Sequence, residues 1–162
     1  MTLEETVHQL APGLLRFCSG LDSDRASAED AAQESLAALV TRWRRHGPPD
    51  DPAAFTYTIA RRRIRRLQFK RRLLAPLSAL GEPAAPLPAD HGVESRQRLA
   101  SVRSLLGRLT SRERDALLVS LDGLSTHQAA TVLGLKDSTY KMRLHRARRR
   151  LVALLEATDD PT

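Results

Sequence analysis

Apolar residues recur at helical spacing along most of this chain. Over residues 3–20 they stand three or four positions apart, which predicts a helix, and Pro12-Gly13 predicts an interruption within it. A second helix is predicted over 28–45, with Ser27 as its N-cap. A third is predicted from Pro52 into a basic stretch, because proline suits a first helical turn. Its candidate inward residues are Phe55, Ile59, Ile64, Leu67 and Phe69.

This helical pattern stops over residues 75–95, where proline and glycine alternate with alanine, leucine and a few acids. Such a composition favours an extended linker. The fold is therefore predicted to be all-α, with two small helical domains over residues 1–74 and 96–157.

The second predicted domain carries the signature of a helix-turn-helix. Thr110 with Glu113, and Ser125 with Gln128, each form a capping box that opens a helix. Gly134 allows a tight turn, and Asp137 or Ser138 is expected to cap the last helix. The first of these helices has Ala116, Leu117, Leu118 and Leu121 as its apolar residues. One apolar stripe follows the last helix: Tyr140, Leu144, Ala147, Leu151 and Leu154. A short helix, a glycine turn and a cationic second helix together suit the DNA major groove.

Charge reinforces the expectation of a polyanionic partner. The chain of 162 residues has a net charge of +7 and a pI near 10.6. Residues 61–72 hold 8 arginines or lysines and no acid, whereas residues 1–60 hold 5 arginines and 9 acids. Residues 61–72 and the cationic last helix are two separated basic segments. Together they indicate a protein that binds DNA at two places.

The sequence also argues against several classes of protein. Cys18 is the single cysteine, so an internal disulfide or a multi-cysteine zinc site is excluded, and a small buried side chain is expected. The histidines lack metal-ligand spacing, and neither a metal nor a cofactor is predicted. The N-terminus does not resemble a signal peptide and no apolar run is long enough to span a membrane, so a cytoplasmic protein is expected. Neither a phosphate-binding glycine loop nor a nucleophile constellation is visible, which disfavours an enzyme acting on nucleic acid.

Taken together, the two halves resemble the sigma-70 family in its small extracytoplasmic-function (ECF) group, whose members keep regions 2 and 4 joined by a linker. The resemblance covers nearly the whole chain apart from the linker and the last residues. The segments that carry it are Ala11–Phe17, Ala28–Leu36, Phe55–Arg61, Leu109–Arg114, Gly123–Ser125, Leu133–Leu135 and Lys141–Arg148.

The resemblance implies a factor that binds core RNA polymerase and lets it recognise and open promoters. Asp30, Gln33 and Glu34 match the family residues that dock on the clamp helices of the β′ subunit. An acidic helix face in a basic protein also suits a protein partner better than DNA, although an ordinary solvated face would look the same. The resemblance further implies contact with the β flap, and members of the group are commonly held inactive by an anti-sigma protein.

The third helix corresponds to the segment that handles the −10 promoter element. Aromatic faces and cations can hold unstacked bases of a single strand. The candidates are Phe55, Tyr57, Arg61, Arg62, Arg63, Arg65 and Arg66. Core packing is the alternative for the two aromatic residues. The loop of residues 47–51 occupies the place where relatives capture a flipped base.

The last helix corresponds to the reader of the −35 element. Its apolar stripe faces the core, so the residues on its other side are left for DNA. These are Thr139, Lys141, Met142, His145, Arg146 and Arg149. Lys141 and Arg146 can reach phosphates or guanine edges.

A stand-alone helix-turn-helix regulator is the main competing interpretation. It explains the second domain, but it leaves the acidic face of residues 30–34 and the basic third helix without a purpose.

Overall fold

The computed structural model describes residues 1–75 and 92–159, and within these ranges the chain forms seven α-helices. They are α1 (Leu3–Leu21), α2 (Arg25–His46), α3 (Pro52–Leu74), α4 (Val93–Gly107), α5 (Ser111–Ser120), α6 (Thr126–Leu133) and α7 (Asp137–Asp159). We call α1–α3 the N-terminal unit and α4–α7 the C-terminal unit. The all-α class is confirmed, while the predicted linker lies largely outside the described residues.

Helix α1 runs without a break through Pro12, so the predicted interruption is wrong. A proline inside a helix costs roughly 3 kcal/mol relative to alanine. The buried face of α1 continues on both sides of Pro12, with Thr6 before it and Leu14 and Phe17 after it. The packing of these side chains offsets the cost of the proline. Tertiary packing therefore overrides the local signal for a break.

Helix α2 begins earlier than predicted because Asp24, not Ser27, is its N-cap. The Asp24 carboxylate accepts hydrogen bonds from both the backbone N–H and the hydroxyl of Ser27. The two bonds to Ser27, foremost among several effects, hold the pKa of Asp24 below its ordinary value. The predicted cap is thus the partner of the real one.

Helix α3 starts at Pro52 as predicted, with the Asp51 side chain accepting from the Ala54 N–H at 2.9 Å. Ile64 is fully buried as predicted, but the prediction for Phe69 is wrong because its side chain is exposed. The other buried residues of this helix are Ala54, Thr56, Tyr57 and Ala60, while Phe55, Ile59 and Leu67 are half-buried.

Helices α5 and α6 both open with the predicted capping boxes. The side chains of Thr110 and Ser125 accept from the third helical N–H, and the Glu113 and Gln128 side chains accept in return. One residue departs from the prediction: Leu121 is largely exposed, because α5 ends at Ser120 and the chain turns away there.

The turn between α6 and α7 depends on Gly134, whose φ of +66° lies in the left-handed region. Helix α7 then begins at Asp137 itself, and the Lys136 carbonyl accepts the first helical bond from Tyr140. Neither Asp137 nor Ser138 is therefore the cap. Asp137 instead faces His127 across the turn, 3.2 Å from its Nδ1.

The two units pack against each other, which the sequence did not predict. Helix α3 lies against α6, and α1 lies against α5. Buried residues of both units form a single apolar cluster that includes Leu14, Tyr57 and Ile64 on one side and Val119 and Val132 on the other. A smaller cluster joins α5 and α7 around Leu109, Leu117, Ala147 and Leu154.

We expect Gly134→Ala to lower the free energy of unfolding by roughly 1–2 kcal/mol, the cost of a left-handed backbone for a residue with a Cβ. Gly107 is the matched control, since it is helical and an added Cβ at either position meets no atom within 4 Å. Gly107→Ala should be neutral, or stabilising by up to about 1 kcal/mol. Urea unfolding of the two variants measures the difference, and equal losses would contradict the role given to the turn.

Cys18 should be inert in the folded chain. Burial, aided by the negative charge of Asp122, raises the pKa of its thiol from 9.0 to about 12. The stabilisation that comes from keeping the thiol protonated is complete below pH 9 and is lost as the pH rises toward 12. Wild type should therefore lose more stability between pH 8 and pH 9.5 than Cys18→Ala. Urea unfolding at the two pH values measures this loss, and a thiol reagent should modify wild type only as fast as it unfolds. Rapid modification under native conditions would show that the thiol is accessible without unfolding.

Candidate nucleic-acid and protein interfaces

The three residues expected to contact polymerase share the outer face of α2. Asp30, Gln33 and Glu34 are all exposed, because they are spaced three and one positions apart on the side away from the core. The opposite face is buried through alanines and Ser35, whose hydroxyl donates to the Ala31 carbonyl at 2.6 Å. The patch is therefore a rigid, acidic helix surface.

Glu34 also ties this surface to α3 through an ion pair with Arg63. Both side chains are substantially exposed, so the pair contributes about 0–1 kcal/mol. Asp30 has no ion pair within the described residues, and it presents its charge to solvent. A positively charged partner would meet Asp30 free and Glu34 partly neutralised.

The five arginines of α3 divide into three groups. Arg62 and Arg66 lie one turn apart and are exposed. Arg63 pairs with Glu34. Arg61 and Arg65, also one turn apart, bind the Asp115 carboxylate of α5, with Arg61 Nε 3.0 Å from Oδ2. The predicted cationic surface is thus present only in part, since two of its members face the C-terminal unit.

The two aromatic residues of the predicted −10 surface lie in different environments. Phe55 is half-buried. Tyr57 is almost fully buried, its ring 5.1 Å from that of Phe17 and tilted by 47°. Its hydroxyl hydrogen-bonds the Asp122 carboxylate, and burial together with that negative charge raises the pKa of Tyr57 well above 10. In this structure the Tyr57 ring is covered and is not available to stack on a base.

The residues predicted to read the −35 element share one exposed helix face. All six of its residues are exposed on α7, opposite the buried Tyr140, Ala147 and Leu154. Lys141, His145 and Arg149 lie on successive turns of this face. An exposed cationic helix face that follows a glycine turn is the arrangement of a helix-turn-helix recognition helix.

Sequence reasoning missed the acids that join the two units. Asp115 has a side chain only 3% exposed, and Asp122 accepts from Arg16 at 3.2 Å. The Gln128 amide also donates to Asp51 at 3.2 Å, which links the N-terminus of α6 to that of α3. One signal pointed to Asp115: it begins the apolar run of α5, where an acid would face the core. Its partners, however, lie about 50 residues away.

Within residues 1–75 and 92–159, no group of three or more His, Cys, Asp or Glu side chains could hold a metal ion. In the same ranges none of the helices is sufficiently long and apolar to cross a bilayer.

Two protein-family models match this chain, one for each helical unit and in the same order. The model described as Sigma-70 region 2 matches residues 6–73, and the model described as Sigma-70, region 4 matches residues 99–151. The first range covers α1 to α3, and the second covers most of α4 through α7.

Individual relatives agree with this assignment. The ECF RNA polymerase sigma factor EcfG of Rhodopseudomonas palustris is 29% identical over 95% of this chain and 85% of its own length. The ECF RNA polymerase sigma factor SigL of Mycobacterium tuberculosis is 33% identical over 88% of this chain and 82% of its own length. Among solved structures, the sigma factor RpoE of Bartonella quintana, crystallised with the anti-sigma factor NepR, is similar with a TM-score of 0.75. That chain is 26% identical, and the match covers 94% of this chain and 96% of RpoE.

Because both regions match in order along one chain, and relatives are similar over most of their own length, this chain belongs to the sigma-70 family, in its group of ECF RNA polymerase sigma factors.

Proposed function

We propose that this sigma factor directs core RNA polymerase to promoters with three separate surfaces, each placed on a different helix. The acidic face of α2 binds the polymerase, α3 holds the −10 element, and α7 reads the −35 element. The observation that carries the proposal is the succession of a region 2 match and a region 4 match, each coinciding with one helical unit.

The polymerase contact uses Asp30, Gln33 and Glu34. Their exposure on a rigid helix supports the role, since a docking surface held in place loses little conformational freedom on binding. The partner surface is the pair of clamp helices of the β′ subunit, and the C-terminal unit contacts the β flap. Residues 1–74 and 96–157 act as the two functional domains, with 75–95 as their linker.

The −10 contact uses Phe55, Tyr57 and the arginines of α3. Arg62 and Arg66 are exposed and can meet the backbone of the single strand at once. Arg61, Arg65 and Tyr57 join them after they leave their present partners. Stacking on aromatic rings contributes about 1–3 kcal/mol per base.

The −35 contact uses the outer face of α7, and its six exposed residues sort by chemistry. Lys141, Arg146 and Arg149 contact phosphates or guanine edges, whereas Thr139, Met142 and His145 contact base edges or methyl groups.

The factor has no catalytic activity of its own, because the polymerase performs the chemistry. It works in the cytoplasm, where polymerase and chromosome are found. An anti-sigma factor is a further partner in this proposal, which the crystallisation of the similar RpoE with one supports.

The decisive experiment is a pull-down with purified core RNA polymerase followed by run-off transcription on a promoter library. Binding and promoter-selective transcripts are expected. A chain that binds a specific duplex tightly but has no affinity for core polymerase would instead be a stand-alone helix-turn-helix regulator.

Arg146→Ala should weaken initiation from −35-dependent promoters. The loss should be on the order of 1–3 kcal/mol if the guanidinium contacts guanine with two hydrogen bonds. Run-off transcription measures it, and Arg103→Ala, which removes the same charge from the exposed face of α4, is the control. Initiation equal to wild type would remove Arg146 from the reading surface.

Asp30→Lys should reduce binding to core polymerase without unfolding the chain, because Asp30 is exposed and its charge is reversed at the docking surface. Glu34→Lys should do the same, although it also breaks the pair with Arg63. Glu4→Lys makes the equivalent change on α1 and should bind normally. Affinity is measured by fluorescence anisotropy with labelled sigma factor, and wild-type affinity in both α2 variants would disprove the docking role.

A further inference from the structure

Phe69, near the end of α3, is an aromatic residue that the fold does not bury. The chain has six aromatic residues, and all of them lie within the described ranges. Three are buried and two are half-buried, whereas Phe69 is 60% exposed. Leu73, one turn further along α3, is 63% exposed. Single apolar side chains on a surface are ordinary, but an exposed ring beside an exposed leucine forms a patch that suits a partner.

The end of α3 that carries Phe69 is held in place from its other side. None of residues 65–74 is buried, so this part of the helix extends beyond the apolar core. The Gln68 amide donates to the Leu21 carbonyl at 2.8 Å, and Arg71 Nη1 donates to both carboxylate oxygens of Asp22 at 2.8 and 3.0 Å. These bonds fix the helix end against the turn between α1 and α2, and they leave the face of Phe69 open to solvent.

Phe69 belongs to a stripe of exposed residues that is rich in positive charge. Arg62, Arg66, Phe69 and Leu73 follow one another at spacings of four, three and four, so they share one face of α3, and Lys70 lies beside them. We call these five residues the outer stripe; all of them are exposed. Within the described ranges, the ion pairs of α3 are made by its other arginines. The three cations of the outer stripe therefore have no acidic partner there.

The charge and the ring of the outer stripe together indicate its partner. A second copy of this chain would set three cations against three cations, which repel each other. A nucleic acid would instead offer a phosphate to each of them. In a duplex the base faces are already stacked, so a protein ring gains a stacking partner only from unpaired bases. Aromatic rings among cations are the usual surface for a single strand.

The outer stripe continues the proposed −10 surface along the same helix. Phe55 is seven residues before Arg62 and lies on the same face of α3. Phe55 and Phe69 are 14 residues apart. At 1.5 Å per residue, they are about 21 Å apart along the helix axis. This distance covers about six nucleotides at the stacked spacing of 3.4 Å, and fewer when the strand is extended. A strand that begins at Phe55 can therefore reach Phe69.

We propose, on the basis of the function above, that Phe69 is a second stacking platform for the non-template −10 strand, at the end of α3 opposite to Phe55. The ring stacks on one unpaired base, and Arg66 and Lys70 contact the phosphates on either side of that base. Exposure of the ring and the anchored helix end allow this contact in the arrangement that the structure shows. The strand is thus held at both ends of α3.

The first arm of the test removes the ring. Phe69→Ala should weaken binding of the holoenzyme to a promoter fork whose non-template −10 strand is unpaired. A loss of about 5- to 150-fold is expected, which corresponds to the stacking of one base on one ring. Phe69→Trp keeps a ring and should bind as wild type does. The fork comes from a promoter selected by wild-type holoenzyme, and fluorescence anisotropy measures the affinity.

Leu73→Ala is the matched control for this arm. It removes a similarly exposed apolar side chain from the same face of α3, but it removes no aromatic ring. Its affinity for the fork should stay close to that of wild type. Both residues are exposed, so neither substitution should unfold the chain, and urea unfolding checks this.

The second arm removes bases from the fork and leaves the protein's fold untouched. Each nucleotide of the unpaired −10 strand is replaced in turn by an abasic nucleotide. With wild type, the replacement at the position that lies on Phe69 should weaken binding. With Phe69→Ala the same replacement should cause no further loss, while losses at the other positions should equal those of wild type. Such non-additivity assigns one base to one ring.

The outcomes separate this contact from the function on which it rests. Wild type that neither binds core polymerase nor transcribes would refute the proposed function. If wild type does both, equal fork affinity in wild type and Phe69→Ala would overturn the stacking contact. A fork affinity that falls without coupling to any base would also overturn it.

Three further results would assign the patch to another partner and overturn the proposal. Equal losses in Phe69→Ala and Leu73→Ala would indicate apolar docking. Weaker binding of Phe69→Ala to core polymerase alone would make the patch a polymerase contact. Self-association of wild type that Phe69→Ala abolishes, measured by sedimentation velocity, would make it a contact between copies of this chain.

Discussion

The buried charge of Asp115 is the constraint on which the packing of the two units depends. A carboxylate removed from water is stable only when charged hydrogen-bond donors replace the solvent, and Arg61 and Arg65 both supply them. The two arginines are in turn stabilised by a nearby negative charge. They lie one turn apart on a helix crowded with like charge, where such pairs repel each other. One acid between them relieves that repulsion, and its two ion pairs link α5 to α3 through side chains.

The rest of the contact follows from this approach. Gly20 on α1 allows α5 to come near, because Leu118 fills the space where a Cβ would lie. Gly13 lies beside the Tyr57 hydroxyl and Asp122. The result is one apolar cluster shared by two units that occupy separate parts of the chain. Three residues that we propose to contact the −10 element, Arg61, Arg65 and Tyr57, thus have their partners inside this interface. The outer face of α7 remains exposed.

Prediction from the sequence succeeded where local rules decide the structure. The two capping boxes, the left-handed glycine and the apolar stripe of α7 each follow from residues within one or two turns of each other. It was wrong at Pro12, at the Ser27 cap, at the start of α7 and for the burial of Phe69 and Leu121. In the first of these cases a locally unfavourable residue is held by a buried helix face. In the second and third, a neighbouring residue takes the capping position.

The sequence by itself determined the helices, the order of the two sigma-70 regions, and the candidate residues on α2, α3 and α7. Periodicity and capping carry that information, because they act between residues close in the chain. Only the tertiary structure decided which of those candidates are exposed. Arg61 is 54 positions from Asp115, and Arg16 is 106 from Asp122. Ion pairs at such separations depend on how two helical units meet, and no local pattern encodes that meeting.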